Sequence, residues 1–151
     1  MKTRQCARLM IVNEQQELLL FQYKDEHKAE PFWATAGGEL KEGETYREAA
    51  KRELYEETGL RNNIGELLKE NEDIFAVARS VPALWQEKYY LVNCSSDSKV
   101  FAAEWTDEEK TTIQKWKWWS LEAMKSEESQ SFKPEWLPKL FDRIVERETA
   151  Q

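Results

Sequence analysis

The stretch GELKEGETYREAAKRELYEETGL, Gly38–Leu60, carries the strongest structural signals in the chain. Thr45 is a suitable N-cap for a helix, and Glu48 three residues later can complete a capping box. Gly59 suits the left-handed position after the last turn, where Leu60 can pack back on the helix. The stretch therefore predicts a helix that follows a glycine-containing loop. Its expected buried stripe consists of Tyr46, Ala49, Ala50 and Leu54.

Three carboxylates lie on one face of this predicted helix. Glu53, Glu56 and Glu57 are spaced i, i+3 and i+4, so they destabilise an isolated helix by roughly 0.2–0.5 kcal/mol per pair. A cation that prefers oxygen ligands, above all Mg²⁺, would relieve the repulsion and is commonly shared between carboxylates and substrate phosphates. The alternative is a solvated acidic face paired with neighbouring cations. Those cations are Arg47, Lys51 and Arg52.

The flanking residues favour the metal site. Gly38, Glu44 and the run from Arg52 to Leu60 have the spacing of a complete Nudix box, and on these residues the chain resembles the Nudix hydrolase (MutT-like) family. One departure is Ala36, where many relatives have proline. The resemblance implies an α/β fold, the Nudix-type α/β/α sandwich around a mixed β-sheet. It also implies hydrolysis of a phosphoanhydride bond in a nucleoside diphosphate linked to another moiety, as in a nucleoside triphosphate.

The same resemblance implies roles for the box residues. Glu53, Glu56 and Glu57, together with the Gly37 carbonyl, would bind Mg²⁺, for which Mn²⁺ could substitute. Glu53 is the first choice for the general base. The further catalytic residues would be Glu57, Arg52, which orients the glutamates, and Glu44 in a supporting part. A further carboxylate from a loop before a late strand is expected, and the sequence does not choose among Glu104, Asp107, Glu108 and Glu109.

The same resemblance implies that substrate choice lies outside the box. Gly38 and Trp33 are the candidates for substrate contacts, Trp33 because an aromatic ring can stack on a base. Other aromatic candidates, most of them expected in the core, are Tyr23, Phe32, Trp85, Tyr89 and Trp105. His27 is the only histidine of the chain, so neither a usual zinc site nor covalent catalysis with a histidine base is favoured.

Composition sets further limits on fold and function. A chain of 151 residues fits a single Nudix hydrolase domain over residues 1–151. Its net charge of −7 argues against long nucleic acids and RNA 5′-end processing, so the expected partner is a small-molecule nucleotide. No apolar stretch is long enough for a membrane span, and Cys6 and Cys94 form no CxxC pair. We therefore expect a cytoplasmic monomer or homodimer without membrane contact.

Hydrophobic patterns predict the remaining elements. A hairpin is expected from strands at Ala7–Val12 and Leu18–Tyr23, followed by a short strand at Phe32–Ala36 that stops at the paired glycines. The other expected strands are Ile74–Ala78, Tyr89–Val92 and Trp116–Trp119, with Pro82 and Trp85 in a loop. The other expected helices are Thr106–Gln114 and Glu135–Arg147.

Two functions other than hydrolysis use the same fold. The main alternative is a Nudix-fold nucleotide-binding sensor without catalysis. The intact set of box glutamates, with Arg52, argues against it. An isomerase acting on isoprenoid diphosphates is disfavoured, because the additional cysteine motif of that group is not found and Cys94 alone is weak support.

Overall fold

The structure is a computed structural model that describes residues 1–24, 30–76, 81–98, 100 and 113–149. The strands are β1 Thr3–Asn13, β2 Glu17–Tyr23, β3 Phe32–Ala34, β4 Ala36–Glu39, β5 Leu67–Phe75, β6 Ala83–Cys94, β7 Ile113–Ser120 and β8 Ser131–Phe132. The helices are α1 Tyr46–Thr58, α2 Leu121–Ser126 and α3 Leu137–Thr149. No helix within these ranges combines the length and the apolar character that a membrane span requires.

Strand β1 is the centre of one mixed sheet. It pairs in parallel with β6 over its whole length, and β5 adds antiparallel to β6. On its other side, β1 pairs with β2 at Val12 and Leu18 and with β4 over residues 6–9. Strands β3 and β7 pair with β2, and β8 extends the sheet from β3. Because β1 and β2 diverge from their hairpin turn, β4 lies beside the first half of β1.

Alternate side chains of β1 face two separate cores. Ala7, Leu9 and Ile11 pack on the face that α1 covers, with Ala49, Ala50 and Leu54 of that helix. Met10 and Val12 pack on the opposite face, where α2 and α3 supply Met124, Leu137, Leu140, Phe141 and Ile144. The helices therefore lie on both sides of a mixed sheet, and the α/β sandwich predicted from the sequence is confirmed.

The prediction of one strand at Phe32–Ala36 is wrong. Strand β3 ends at Ala34 and pairs with β2, whereas β4 begins at Ala36 and pairs with β1. The break between them lies where the pairing partner changes. Gly37 and Gly38 consequently lie inside β4 and not after a strand. This difference matters for the site, because a residue inside a strand has a defined face.

Other boundaries also differ from the prediction. Trp85 lies in β6 and not in a loop. Strand β5 already begins at Leu67, before the predicted start at Ile74. The sequence pattern does not predict this start, because the polar outer edge of β5 hides the alternation. The predicted strand at 74–78 lies outside the described residues from position 77. Of the predicted helix at 106–114, residues 106–112 lie outside the described ranges and residues 113–114 begin β7. The short helix α2 was not predicted, whereas α1, α3 and the hairpin were.

We predict that Phe141→Ala destabilises the protein by about 3–5 kcal/mol, because Phe141 is fully buried between α3 and the sheet and its loss leaves a cavity. Urea denaturation followed by circular dichroism measures the change. The exposed Arg143 on the same helix provides the control, and Arg143→Ala should stay within about 0.5 kcal/mol of the wild type. Equal midpoints for Phe141→Ala and the wild type would contradict the packing described here.

Candidate functional site

Helix α1 is fixed in position and rotation at both ends. The Thr45 hydroxyl accepts a hydrogen bond from the Glu48 amide at 3.1 Å, and the Glu48 carboxylate accepts one from the Thr45 amide at 2.9 Å. Gly59 has a left-handed φ of 77°, and its amide donates to the Tyr55 carbonyl at 2.8 Å. Since Leu54 is fully buried in the sheet core, the helix face bearing Glu53 and Glu57 turns toward β4.

The paired glycines bring the backbone of β4 into contact with this face. A Cβ added at Gly38 would lie 2.5 Å from Cδ of Glu53, so the Glu53 carboxylate fills the space that any other side chain would occupy. Gly37 has a φ of 147°, and a Cβ there would lie 2.2 Å from the Ala7 carbonyl oxygen. The fold therefore requires glycine at Gly37, whereas Gly38 leaves the space in which the Glu53 carboxylate lies.

Arg52 joins one carboxylate of the loop before α1 to two carboxylates of the helix itself. Its Nε donates to Oε2 of Glu44 and its Nη2 to Oε1 of Glu44, both at 2.8 Å, in a bidentate fork. Its Nη1 donates to Oε1 of Glu53 at 2.6 Å and to Oε2 of Glu56 at 3.0 Å. Its Nη2 also donates to the carbonyl of Glu39 at 2.9 Å. One guanidinium thereby connects β4, the loop before α1 and the helix itself.

The charges of this network shift two pKa values. The side-chain hydrogen bond from Arg52 lowers the pKa of Glu44 to about 2, with help from the backbone amide of Lys41. The same bond is the main cause that raises the pKa of Arg52 above its usual range. Both groups are therefore charged across the range in which enzymes usually work.

Glu57 is the most deeply buried carboxylate of the helix. It is 1% exposed, against 8% for Glu53, and both side chains lie on the face turned to the sheet. Buried carboxylates are costly to keep charged unless cations or hydrogen bonds stabilise them. This pair is thus a place where an additional cation would be stabilising.

The set of donors fits a hard divalent cation. Glu53, Glu56 and Glu57 supply carboxylate oxygens, and the glycine strand brings a backbone close to them without side chains in between. Within the described ranges, no three acidic, histidine or cysteine side chains stand as a ready metal-binding group. In this structure the Arg52 guanidinium bonds directly to Glu53 and Glu56. Cation binding would require these carboxylates to share their oxygens with Arg52 or to turn from it.

The structure brings together most of the residues singled out from the sequence. Arg52 bonds to Glu44, Glu53 and Glu56, the Glu53 carboxylate lies against Gly38, and Glu57 is buried on the same side of the helix as Glu53. Trp33 is a correction: it is 1% exposed and packs edge-on against Trp119 at 5.2 Å in the α3-side core, so its ring is not offered to a base. The four candidates for a further carboxylate lie outside the described residues, as do His27 and Trp105.

Two ion pairs beside the site were missed at the sequence level. Arg8 Nε donates to Glu87 Oε2 at 2.8 Å, and Arg4 forms a fork with Glu39. The sequence contains part of the signal for these pairs, because the alternation of side chains along β1 places Arg4 and Arg8 on one face. Their partners depend on strand pairing far along the chain, which the sequence pattern does not give. Burial raises the pKa of the neighbouring Cys6 to about 12, as expected for an inert packed thiol.

Comparisons with known proteins agree with the box and the fold. The family model described as NUDIX domain matches residues 2–140. The chain belongs to the Nudix hydrolase family. Among curated Nudix relatives, an RNA pyrophosphohydrolase of Roseobacter denitrificans is 36% identical over 89 residues, covering 57% of this chain and 54% of that protein. Nudix hydrolase 6 of Arabidopsis thaliana is 32% identical over 111 residues, covering 66% and 37%. The match thus spans about half or less of these relatives' length.

Solved structures show the same Nudix fold. A MutT Nudix hydrolase from Burkholderia pseudomallei superposes with a TM-score of 0.71 at 19% identity, over 95% of this chain and 99% of that one. The MutT protein from Methanosarcina mazei Go1 gives a TM-score of 0.69 at 20% identity, over 99% and 97%. The mixed sheet and its helices are therefore those of the family.

We predict that the stability advantage of the wild type over Glu44→Gln depends on pH. Because Arg52 lowers the pKa of Glu44 from 4.5 to about 2, ionised Glu44 stabilises the fold fully above about pH 5. This contribution is lost as the pH falls through 4.5 toward 2. Thermal denaturation of both proteins between pH 2 and 7 measures the gap in Tm. A gap that stays constant over this range would contradict the Glu44–Arg52 bond.

We predict different costs for alanine at the two glycines. In Gly37→Ala the new Cβ meets backbone and φ is unfavourable, so a loss of at least about 1–3 kcal/mol is expected. In Gly38→Ala the Cβ meets the end of the flexible Glu53 side chain, which can move, so the loss should stay under about 1 kcal/mol. Denaturation midpoints of both variants check the order. The reverse order would show that β4 is not placed as described.

Proposed function

We propose that the chain hydrolyses, with Mg²⁺, a phosphoanhydride bond in a nucleoside diphosphate linked to another moiety. The observation that carries the proposal is the contact of a three-glutamate helix face with a strand of paired glycines, in which the Glu53 carboxylate occupies the side-chain space of Gly38. Membership of the Nudix family supports it. An acidic helix face on the surface, the alternative explanation, would not bury Glu53 and Glu57 against a backbone.

Mg²⁺ would be held by Glu53, Glu56 and Glu57 together with the Gly37 carbonyl, and Mn²⁺ is the natural substitute. When bound, the metal supplies charge neutralisation on the phosphate oxygens and lowers the pKa of coordinated water. The protein residues then have separate tasks. Glu57 lies at the bottom of the cluster, buried against the sheet, and Glu56 stands at its more exposed side.

Glu53 is proposed as the general base that takes the proton of the attacking water. Its Oε1 accepts a 2.6 Å hydrogen bond from Arg52, and Gly38 leaves room for the carboxylate alone, so its orientation is fixed from two sides. Arg52 and Glu44 act by positioning. Their bidentate fork ties the loop before α1 to the helix and keeps the Arg52 guanidinium against Glu53.

The substrate is proposed to be a small nucleotide. A net charge of −7 opposes the approach of long polyanions, for which binding proteins usually offer clustered cations. One curated relative and one solved structure carry the name pyrophosphohydrolase, and the curated relative acts on RNA by its name. An RNA end is thus the specific alternative that a substrate panel must include.

We predict that Glu57→Gln lowers kcat by about 10²–10⁴-fold without unfolding the protein, because it removes the charge of one proposed Mg²⁺ ligand from the buried face at nearly unchanged volume. The assay follows phosphate or pyrophosphate release with Mg²⁺ from nucleoside triphosphates, nucleotide sugars, dinucleoside polyphosphates and a 5′-triphosphorylated oligonucleotide. Glu48→Gln is the matched control, since Glu48 is exposed on the same helix and glutamine can also complete the capping box.

The outcomes of this assay distinguish a hydrolase from a nucleotide-binding sensor. Turnover by the wild type and Glu48→Gln, lost on chelation of the metal and in Glu57→Gln, supports the proposal and names the substrate class. Substrates that bind but are cleaved by none of the three proteins would favour a nucleotide-binding sensor. Equal turnover by Glu57→Gln and the wild type would remove this face from the chemistry.

A further inference from the structure

A buried ion pair lies on the face of the sheet opposite α1. Arg8 Nε donates to Glu87 Oε2 at 2.8 Å, and the two side chains are 21% and 3% exposed. Both residues share the face of Met10 and Tyr89, which pack in the α3-side core. The chemistry proposed above uses neither of them. A buried charge is retained at a cost, and each member of the pair stabilises the other.

The Arg8 side chain packs directly on the glycine strand. Arg8 is opposite Gly37 in the pairing of β1 with β4. A Cβ added at Gly37 would lie 3.0 Å from Cδ of Arg8 and 2.9 Å from its Cα. The aliphatic part of Arg8 therefore covers Gly37, while Glu87 holds the guanidinium at its far end. The ion pair fixes where this cover lies.

The two glycines are consequently held from both faces. Successive residues of a strand point to opposite sides, so Gly37 meets Arg8 on one face and Gly38 meets the Glu53 carboxylate on the other. At these two residues the strand offers only backbone between Arg8 on one face and Glu53 on the other. A shift of Arg8 would let this backbone move toward the α3 side and away from Glu53.

We infer that Arg8 and Glu87 are positioning residues. They hold the Gly37–Gly38 backbone close enough to Glu53 for the Gly37 carbonyl and the Glu53 carboxylate to share one cation. This inference rests on the proposed function for the identity of the site. Outer partners of metal ligands commonly change metal affinity by about 10–100-fold when removed. The pair acts here through a backbone ligand instead of a side chain.

The test removes the charges of the pair together. Arg8→Met/Glu87→Gln keeps the volumes close and leaves no unpaired buried charge. The control is Lys125→Met/Asp142→Asn, which removes an exposed ion pair between α2 and α3, remote from β4. Hydrogen–deuterium exchange of the β4 amides is measured on metal-free protein. Mn²⁺ binding, with the metal alone as probe, is measured by electron paramagnetic resonance.

The expected result is faster exchange across β4 and a Mn²⁺ dissociation constant about 10–100-fold above the wild type, with the control unchanged in both. With substrate, kcat should fall more than KM rises. Arg8→Lys, which keeps the methylenes over Gly37 and a charge for Glu87, should restore most of the wild-type exchange. If the double variant does not fold, Glu87→Gln alone is measured, with the same direction expected.

Unchanged exchange of β4 in the folded variant overturns the inference, and so does unchanged Mn²⁺ affinity in a wild type that binds Mn²⁺. Failure of the wild type to bind Mn²⁺ at all counts against the proposed function instead. The exchange measurement uses metal-free protein, so it decides the positioning of β4 in that case too. The two failures are thereby distinguishable.

Discussion

The site depends on the close approach of the Glu53 carboxylate to the backbone of Gly38. This approach needs a residue without a Cβ in the strand and a helix whose rotation about its axis is fixed. The capping box at Thr45 and the left-handed Gly59 fix the ends of α1, and Leu54 fixes its rotation by burial in the sheet core. If any of these were lost, the carboxylates would turn to solvent and behave as an ordinary acidic surface.

Electrostatics explain why these glutamates can stay together. Arg52 offsets part of their repulsion through bonds to Glu44, Glu53 and Glu56, and it holds the loop before α1 by the Glu39 carbonyl. One guanidinium carries a single positive charge against several negative ones, so the proposed Mg²⁺ would offset repulsion that Arg52 leaves. In a chain with a net charge of −7, that cation would also offer a local attraction for an anionic substrate.

Short-range periodicity and turn chemistry predict α1, its caps and the glutamate face, and the resemblance to the Nudix family predicts the sandwich. Features that depend on tertiary pairing have no such local signal. Strand β3 pairs with β2 and β4 pairs with β1, and no local sequence signal marks this change of partner. The sequence therefore predicts the glycines after a strand instead of inside one. Trp33 was a candidate for base stacking because aromaticity is visible in a sequence, whereas its burial against Trp119 is not. The Arg8–Glu87 pair joins residues 79 positions apart, which only the parallel pairing of β1 with β6 brings together.

The most direct test of the central claim is anomalous diffraction from crystals of the protein soaked in Mn²⁺, measured near the manganese absorption edge. The account predicts an anomalous peak in contact with carboxylate oxygens of Glu53 and Glu57 and with the Gly37 carbonyl, and no such peak at this position in Glu57→Gln crystals. A peak elsewhere in a protein that turns over nucleotide, or none under saturating Mn²⁺, would contradict the assignment of this helix face as the metal centre.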